Sequence, residues 1–167
     1  MPDIPTPPLA HRVDIQMRFA DTDALGHVNN GSFTVYAETG RLEFLHALGT
    51  DVRALILAHL AVDFRQQVRF GVPVAVETWV ERVGTTSVTL RQAVHAGGAV
   101  AAEVQSVVVC FDYAAQRPTP WPDATRRALA AYVPAPPTSG PPPNDPTPDG
   151  AAPEGAASDG AGVAGAP

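Results

Sequence analysis

The chain has 167 residues, 45% of them hydrophobic and 17% charged, with a formal net charge of −6. That is enough for one domain with a real core, and no apolar run is long enough to span a bilayer. Every basic residue is arginine and Cys110 is the single cysteine, which excludes lysine Schiff-base chemistry, an internal disulfide and a cysteine-ligated metal site.

Residues 1–10 read as an irregular, proline-rich segment. They lack the basic and apolar regions of a signal peptide, so a cytoplasmic protein is expected. Val13, Ile15 and Met17 alternate with Asp14, Gln16 and Arg18, a period of two that predicts a half-buried strand. A polar turn follows, from Arg18 to Asn30, dense in carboxylates and amides. Phe33, Ala37, Gly40, Phe44 and Leu48 then recur at helical steps. Asn29, Asn30 or Ser32 can cap that helix and Gly49 can end it. Gly40 in its middle predicts a backbone pressed against something flat. Glu38 and Arg41, three apart, are placed to pair on its surface.

Asp51–His59 reads as a turn, a short helix and the start of a strand, and Leu60–Phe70 as strand. Gly71-Val72-Pro73 breaks it. Val74, Val76, Thr78 and Val80 alternate with polar residues, Gly84–Ser87 reads as a hairpin turn, and Val88, Leu90, Gln92 and Val94 continue the alternation. Gly97-Gly98 is a second turn. Val100–Phe111 is a long strand whose end reads as buried on both faces, with Cys110 a packed thiol there. Prolines 118, 120 and 122 stop the sheet, and Asp123–Tyr132 reads as a terminal helix. Residues 134–167 hold ten of the 18 prolines and almost nothing apolar beyond alanine, a composition expected to be disordered. This tail carries four acidic residues and no basic one. The rest is near neutral, with no basic face for phosphate backbones, so nucleic acid is not an expected partner. One helix followed by consecutive strands predicts an α+β fold, an antiparallel sheet packed on a helix. The uncovered sheet edge would pair with a second copy.

In the polar turn, Asp21 and Asp23 read either as turn formers or as chemical carboxylates. A calcium loop fails, because Leu25 takes a ligand position and Ser32 replaces the bidentate glutamate. His27 suits a general base or a structural hydrogen-bonder. No serine lies in a nucleophile elbow, and no glycine-rich phosphate signature is present.

The run Arg18-Phe19-x-Asp21-x-Asp23-x-x-Gly26-His27-Val28-Asn29-Asn30, with Phe33, Tyr36, Glu38 and Arg41, resembles the hydroxybenzoyl-CoA and acyl-CoA thioesterase family of the hot-dog fold. The likeness extends through Val83–Ser87, Gly97-Gly98, Val108–Asp112 and Arg117-Pro118-x-Pro120. It implies a domain over residues 11–133, with a sheet of about five strands wrapped around one long helix. It further implies acyl-CoA as substrate, no cofactor or metal, no membrane partner, and a homodimer or homotetramer with active sites between subunits. Asp23 matches the family's catalytic carboxylate, as nucleophile or as base for water. The backbone N–H of Asn30, with Asn29 beside it, would face the thioester oxygen, and the helix dipole favours negative charge there. His27 would orient the loop or the substrate. Glu38 is a second carboxylate on the helix, and Thr85, Thr86 and Ser87 fall where relatives meet substrate across the interface. The competing expectations are a non-catalytic acyl-CoA binder and a hydratase or dehydratase of the same fold.

Overall fold

The computed structural model describes residues 9–134. The expected tail disorder, and most of the irregular N-terminal segment, fall outside those residues. Strand β1 (His11–Ile15) leads through a 3-10 turn (Phe19–Asp21) into helix α1 (Asn30–Ala47). A second 3-10 turn (Val52–Ala54) precedes β2 (Leu55–Phe64). Then come β3 (Val74–Val83), β4 (Ser87–Ala96), β5 (Ala99–Asp112), the two-residue β6 (Arg117–Pro118) and helix α2 (Asp123–Ala130). The sheet is antiparallel in the order β1-β3-β4-β5-β2, with β6 on β5. The predicted α+β architecture of one helix and about five strands is what forms, with β6 as a short sixth.

The alternating residues decide which face meets the helix. Val76, Thr78 and Val80 of β3, and Val88, Leu90, Gln92 and Val94 of β4, are buried on one face. Helix α1 lies across β1, β3 and β4 on that side. Its glycine has the predicted reason: a Cβ on Gly40 would fall 2.5 Å from Val76 Cγ1. Gln92 Nε2 donates to the helix carbonyl of Ala37 at 2.8 Å and to Thr78 Oγ1 at 3.0 Å, a polar rivet inside an apolar layer. Two groups of side chains fill the interior. One joins Phe33 and Tyr36 to Val76 and Val94. The other joins Phe44 and Leu45 to Leu90, Val108, Trp121 and Leu129.

The helix starts at Asn29, whose Oδ1 accepts the Gly31 N–H at 2.8 Å. It stops at Gly49, whose φ of +75° suits a residue without Cβ. There the Gly49 N–H reaches the His46 carbonyl and the Thr50 N–H the Leu45 carbonyl, the paired bonds of a Schellman motif. Both glycines of Gly97-Gly98 also have positive φ, as a two-residue hairpin between twisted strands requires.

Three expectations need correction. The second strand starts inside Asp51–His59, after the short helical turn, as expected, but ends at Phe64 instead of running on to Phe70. A register shift between Leu57 and His59 breaks its alternation, and after Phe64 the chain leaves the sheet, with the Arg65 and Gln66 amides both turned to the Ala101 carbonyl. The end of β5 alternates between buried and half-buried residues instead of being buried on both faces. Arg41 lies not on the surface but inside, only 4% exposed. It follows Ala37 and precedes Leu45 by one helical step each, and both are fully buried.

Candidate active site

The polar turn is built around a buried carboxylate. Asp21 Oδ2 accepts the Arg18 N–H at 2.8 Å and the Tyr36 hydroxyl at 3.0 Å, and its Oδ1 accepts Arg18 Nη2 at 2.9 Å. Burial alone would push the Asp21 carboxyl up, but the bonds from the Arg18 amide and guanidinium and from Tyr36 outweigh it and hold it below the usual value. The Tyr36 hydroxyl is pushed up by burial and by donating to that carboxylate. The Asp21 carbonyl accepts from the Asn29 N–H and from Ser32 Oγ, each at 2.8 Å. Asp21 thus fixes both ends of the turn to the start of α1.

Asp23 is exposed and organises the outer part of the turn. Its Oδ1 accepts the N–H groups of Leu25 at 2.9 Å and His27 at 3.1 Å. The Asp23 N–H donates to the His27 carbonyl at 2.8 Å, and Gly26 closes the loop at φ +77°. Oδ2 accepts no hydrogen bond from the described residues. His27 and Val28 lie beside residues 68 and 69, through a Val28 N–H to Val68 carbonyl bond of 2.7 Å and a bridge between His27 and Arg69.

The amides from His27 to Ser32 can be accounted for one by one. His27 donates to Asp23 Oδ1, Val28 to Val68, Asn29 to Asp21, Gly31 to Asn29 Oδ1 and Ser32 to the Asn29 carbonyl. The Asn30 N–H, at the first helical position, has no acceptor among the described residues; helix starts leave such donors bare. Asn30 lines the same cleft as Asp23 and His27, about 310 Å³ in volume, with Phe33, Phe64 and Gln66 among its walls. Asp23 and Asn30, each carrying one polar atom without a partner among the described residues, therefore line one cleft at a helix N-terminus. Such a pair can attack or deprotonate at an electrophilic carbon while stabilising the oxygen that becomes negative.

The family model of the thioesterase-like superfamily matches residues 17–129, a span that contains the whole turn and cleft. The chain belongs to the thioesterase-like superfamily. Among solved members of similar structure, a predicted thioesterase from Bacillus stearothermophilus is 33% identical. The match covers 77% of this chain and 99% of that one, with a TM-score of 0.70. A thioesterase from Thermus thermophilus, complexed with coenzyme A and Zn, is 31% identical over 72% of this chain and 92% of its own, with a TM-score of 0.67. A DHNA-CoA thioesterase from Staphylococcus aureus, 20% identical over 72% and 91% of the two chains, shares the fold with a TM-score of 0.65. No curated protein matches the sequence. The fold is the hot-dog fold of this thioesterase-like superfamily.

Of the residues singled out from the sequence, Asp23, His27 and Asn30 line one cleft in this superfamily member, and Asn29 adjoins it as the helix cap. Glu38 is two turns further along α1, exposed, with Oε1 4.0 Å from Arg41 Nη2. Thr85 and Thr86 lie in the β3–β4 turn, where their carbonyls accept from Trp121 and Cys110, and Ser87 opens β4. None of these three lines the Asp23 cleft of the same chain. Sequence reasoning missed Leu25, Phe64, Arg65 and Gln66 as cleft walls. Gln66 lies where the strand was expected to continue, and the Val28–Val68 bond and the His27–Arg69 bridge bring that segment to the turn. A larger cleft, about 680 Å³, lies on the other sheet face along Arg12, Glu77 and His95. Its polar side chains already have partners, with Glu77 within 3.1 Å of Arg12 and 3.0 Å of His95. Among the described residues, no three histidine, cysteine or acidic side chains group as metal ligands, and no helix is long and apolar enough to cross a membrane.

Proposed function

We propose that this chain hydrolyses the thioester of an acyl-CoA to the free acid and CoA, with Asp23 as the catalytic carboxylate. The observation that carries the reading is that Asp23 and Asn30, whose Oδ2 and main-chain N–H have no partner among the described residues, line one cleft. Oδ2 attacks the carbonyl carbon, expelling CoA thiolate and leaving an anhydride for water to cleave, or it takes a proton from the water that attacks. In either route the carbonyl oxygen gains charge and the Asn30 N–H receives it, aided by the dipole of α1. Asn29 holds the helix start in place, and His27 orients the loop and the thioester. Coenzyme A in the Thermus relative supports a CoA ester as substrate.

The protein works as a cytoplasmic homodimer, or a pair of dimers. Among the described residues β2 pairs on one edge only, with β5, and an open edge favours pairing with another copy. Thr85, Thr86 and Ser87, remote from Asp23 in their own chain, then reach the substrate from the partner, and Glu38 lies along the acyl side.

A non-catalytic acyl-CoA binder is the second reading, and one observation favours it: Asp23 Oδ1 already serves the turn by accepting two amides. A thiol-release assay over a panel of acyl-CoA esters separates the two. Free CoA from at least one ester supports the hydrolase; binding without release from any of them replaces it with the binder.

A further inference from the structure

The groove between α1 and β2 carries a feature that the thioesterase chemistry at Asp23 does not use. Arg41 is only 5% exposed as a side chain, and its Nη1 is buried with no hydrogen-bond partner among the described residues. The ion pair they give its Nη2 is with the exposed Glu38, at 4.0 Å. Arg41 lines a groove of about 250 Å³ whose other walls include Glu38 at the exposed rim and Leu42, Leu45, Leu55 and Leu57. A guanidinium keeps its charge, and a buried one needs an oxygen acceptor to offset lost water. Burial lowers its pKa from the ordinary arginine value, and Glu38 offsets only part of that.

This groove and the Asp23 cleft lie along the same pair of elements. Phe33 of α1 and Phe64 of β2 wall the cleft, and Leu42 of α1 and Leu57 of β2 wall the groove. Arg41 comes about three helical turns, roughly 16 Å, after Asn30. Helical side chains lean toward the N-terminus, which shortens the remaining gap. An extended chain of roughly 8–12 bonds covers it at about 1.2 Å per bond. Leu42, Leu57 and Phe64 are all partly open to solvent along the way, apolar surface suited to methylenes.

We infer that the α1–β2 groove receives the far end of the acyl chain and selects acyl groups that end in a carboxylate, which the Arg41 guanidinium binds. This rests on the thioester-hydrolase reading for the position of the thioester, but the preference can be tested apart from turnover. Hydrolysis of ω-carboxyacyl-CoA esters is compared with that of plain acyl-CoA esters of equal chain length. Binding of the same pairs is measured by calorimetry on the Asp23→Asn variant. The expected result is a preference of the order of tenfold or more in kcat/KM for the carboxylated ester, matched in affinity. In Arg41→Met, where an apolar side chain of similar length replaces the buried charge, that ratio falls to about one. Leu42→Trp, at the exposed rim, lowers the ratio without touching the guanidinium.

Turnover with no preference for the carboxylate overturns the groove and leaves the hydrolase standing. Preference in binding without turnover supports the groove and overturns the hydrolase. Loss of self-association in Arg41→Met with the ratio unchanged assigns the guanidinium to the subunit boundary and overturns the proposal.

Discussion

Tyr36 donates its phenolic hydrogen to Asp21 Oδ2 over 3.0 Å, joining the long helix to the turn that precedes it. Both residues are buried, so the bond is made out of reach of water. The same carboxylate holds Arg18, and its residue's carbonyl holds Asn29 and Ser32. Placement of the whole cleft depends on this junction.

Asp21→Asn should therefore destabilise the fold by about 1.5–3 kcal/mol at neutral pH, the scale of losing bonds to a charged group. The effect has a definite pH dependence. The folded pKa of Asp21 lies below the unfolded value, so its contribution is fully present above about pH 4 and is lost as the pH falls toward the folded pKa. Urea melts of the two proteins should show a gap in unfolding free energy that narrows below about pH 4. A gap that widens in acid would mean the carboxyl is protonated in the native state.

Gly40→Ala should destabilise by about 1–3 kcal/mol, although alanine is the better helix former by about 1 kcal/mol. The added Cβ would meet Val76 Cγ1 at 2.5 Å and Val76 Cβ at 2.9 Å. Combining it with Val76→Ala should recover part of the loss. Additive effects of the two changes in thermal melts would show that helix and strand do not meet there.

Asp23→Asn should lower kcat by about 10²–10⁴-fold while the fold and CoA affinity stay nearly unchanged. The asparagine Oδ1 can still accept the Leu25 and His27 amides that Asp23 Oδ1 accepts now. Circular dichroism, calorimetry with CoA and a thiol-release assay check the three parts. Unaltered turnover would remove Asp23 from the chemistry.

Asn30→Pro isolates the main-chain donor. Proline is favoured at the first helical position, and Asn29 already has the extended conformation (φ −62°, ψ 142°) that a residue before proline adopts. Helix content should survive while turnover drops by about 10²–10³-fold, the usual cost of one oxyanion donor. Asn30→Ala, which keeps the amide, should retain most activity. A larger loss in the alanine variant would move the role to the side chain.

Truncation after Tyr132 should leave the melting temperature unchanged. Such a cut keeps the Val80 N–H to Tyr132 carbonyl bond and the Tyr132 ring packed 4.9 Å from Phe44. A large drop in melting temperature would show that residues 133–167 pack on the domain.

The elements set by local rules were legible in the sequence. Alternation placed Val76, Thr78 and Val80 on the helix side, positive-φ glycines marked the hairpin after β4, and Asn29 and Gly49 bounded the helix. Reading failed where a partner distant in sequence decides. Nothing local marks the end of β2 at Phe64, and the pairing of Arg69 with His27 leaves no local period. Arg41 was misplaced because a charge on an amphipathic helix reads as solvated. Its spacing from Ala37 and Leu45 was the signal that could have put it inside. Of the candidate site, Asp23, His27 and Asn30 fall in one short stretch of the sequence and were legible there. Phe64 and Gln66 come to it only through tertiary folding.

The two amide bonds into Asp23 Oδ1 give that carboxylate a property that a free one lacks. In water its oxygens are interchangeable, swapped by a quick flip about the terminal torsion. Here a half-turn returns the symmetric group to the same two amides while every angle between breaks them, so the plane of the carboxylate is held, with one oxygen as framework and the other without a partner among the described residues. The rotational freedom is surrendered when the loop closes, well before any ligand arrives, and the encounter itself has one less degree of freedom to freeze.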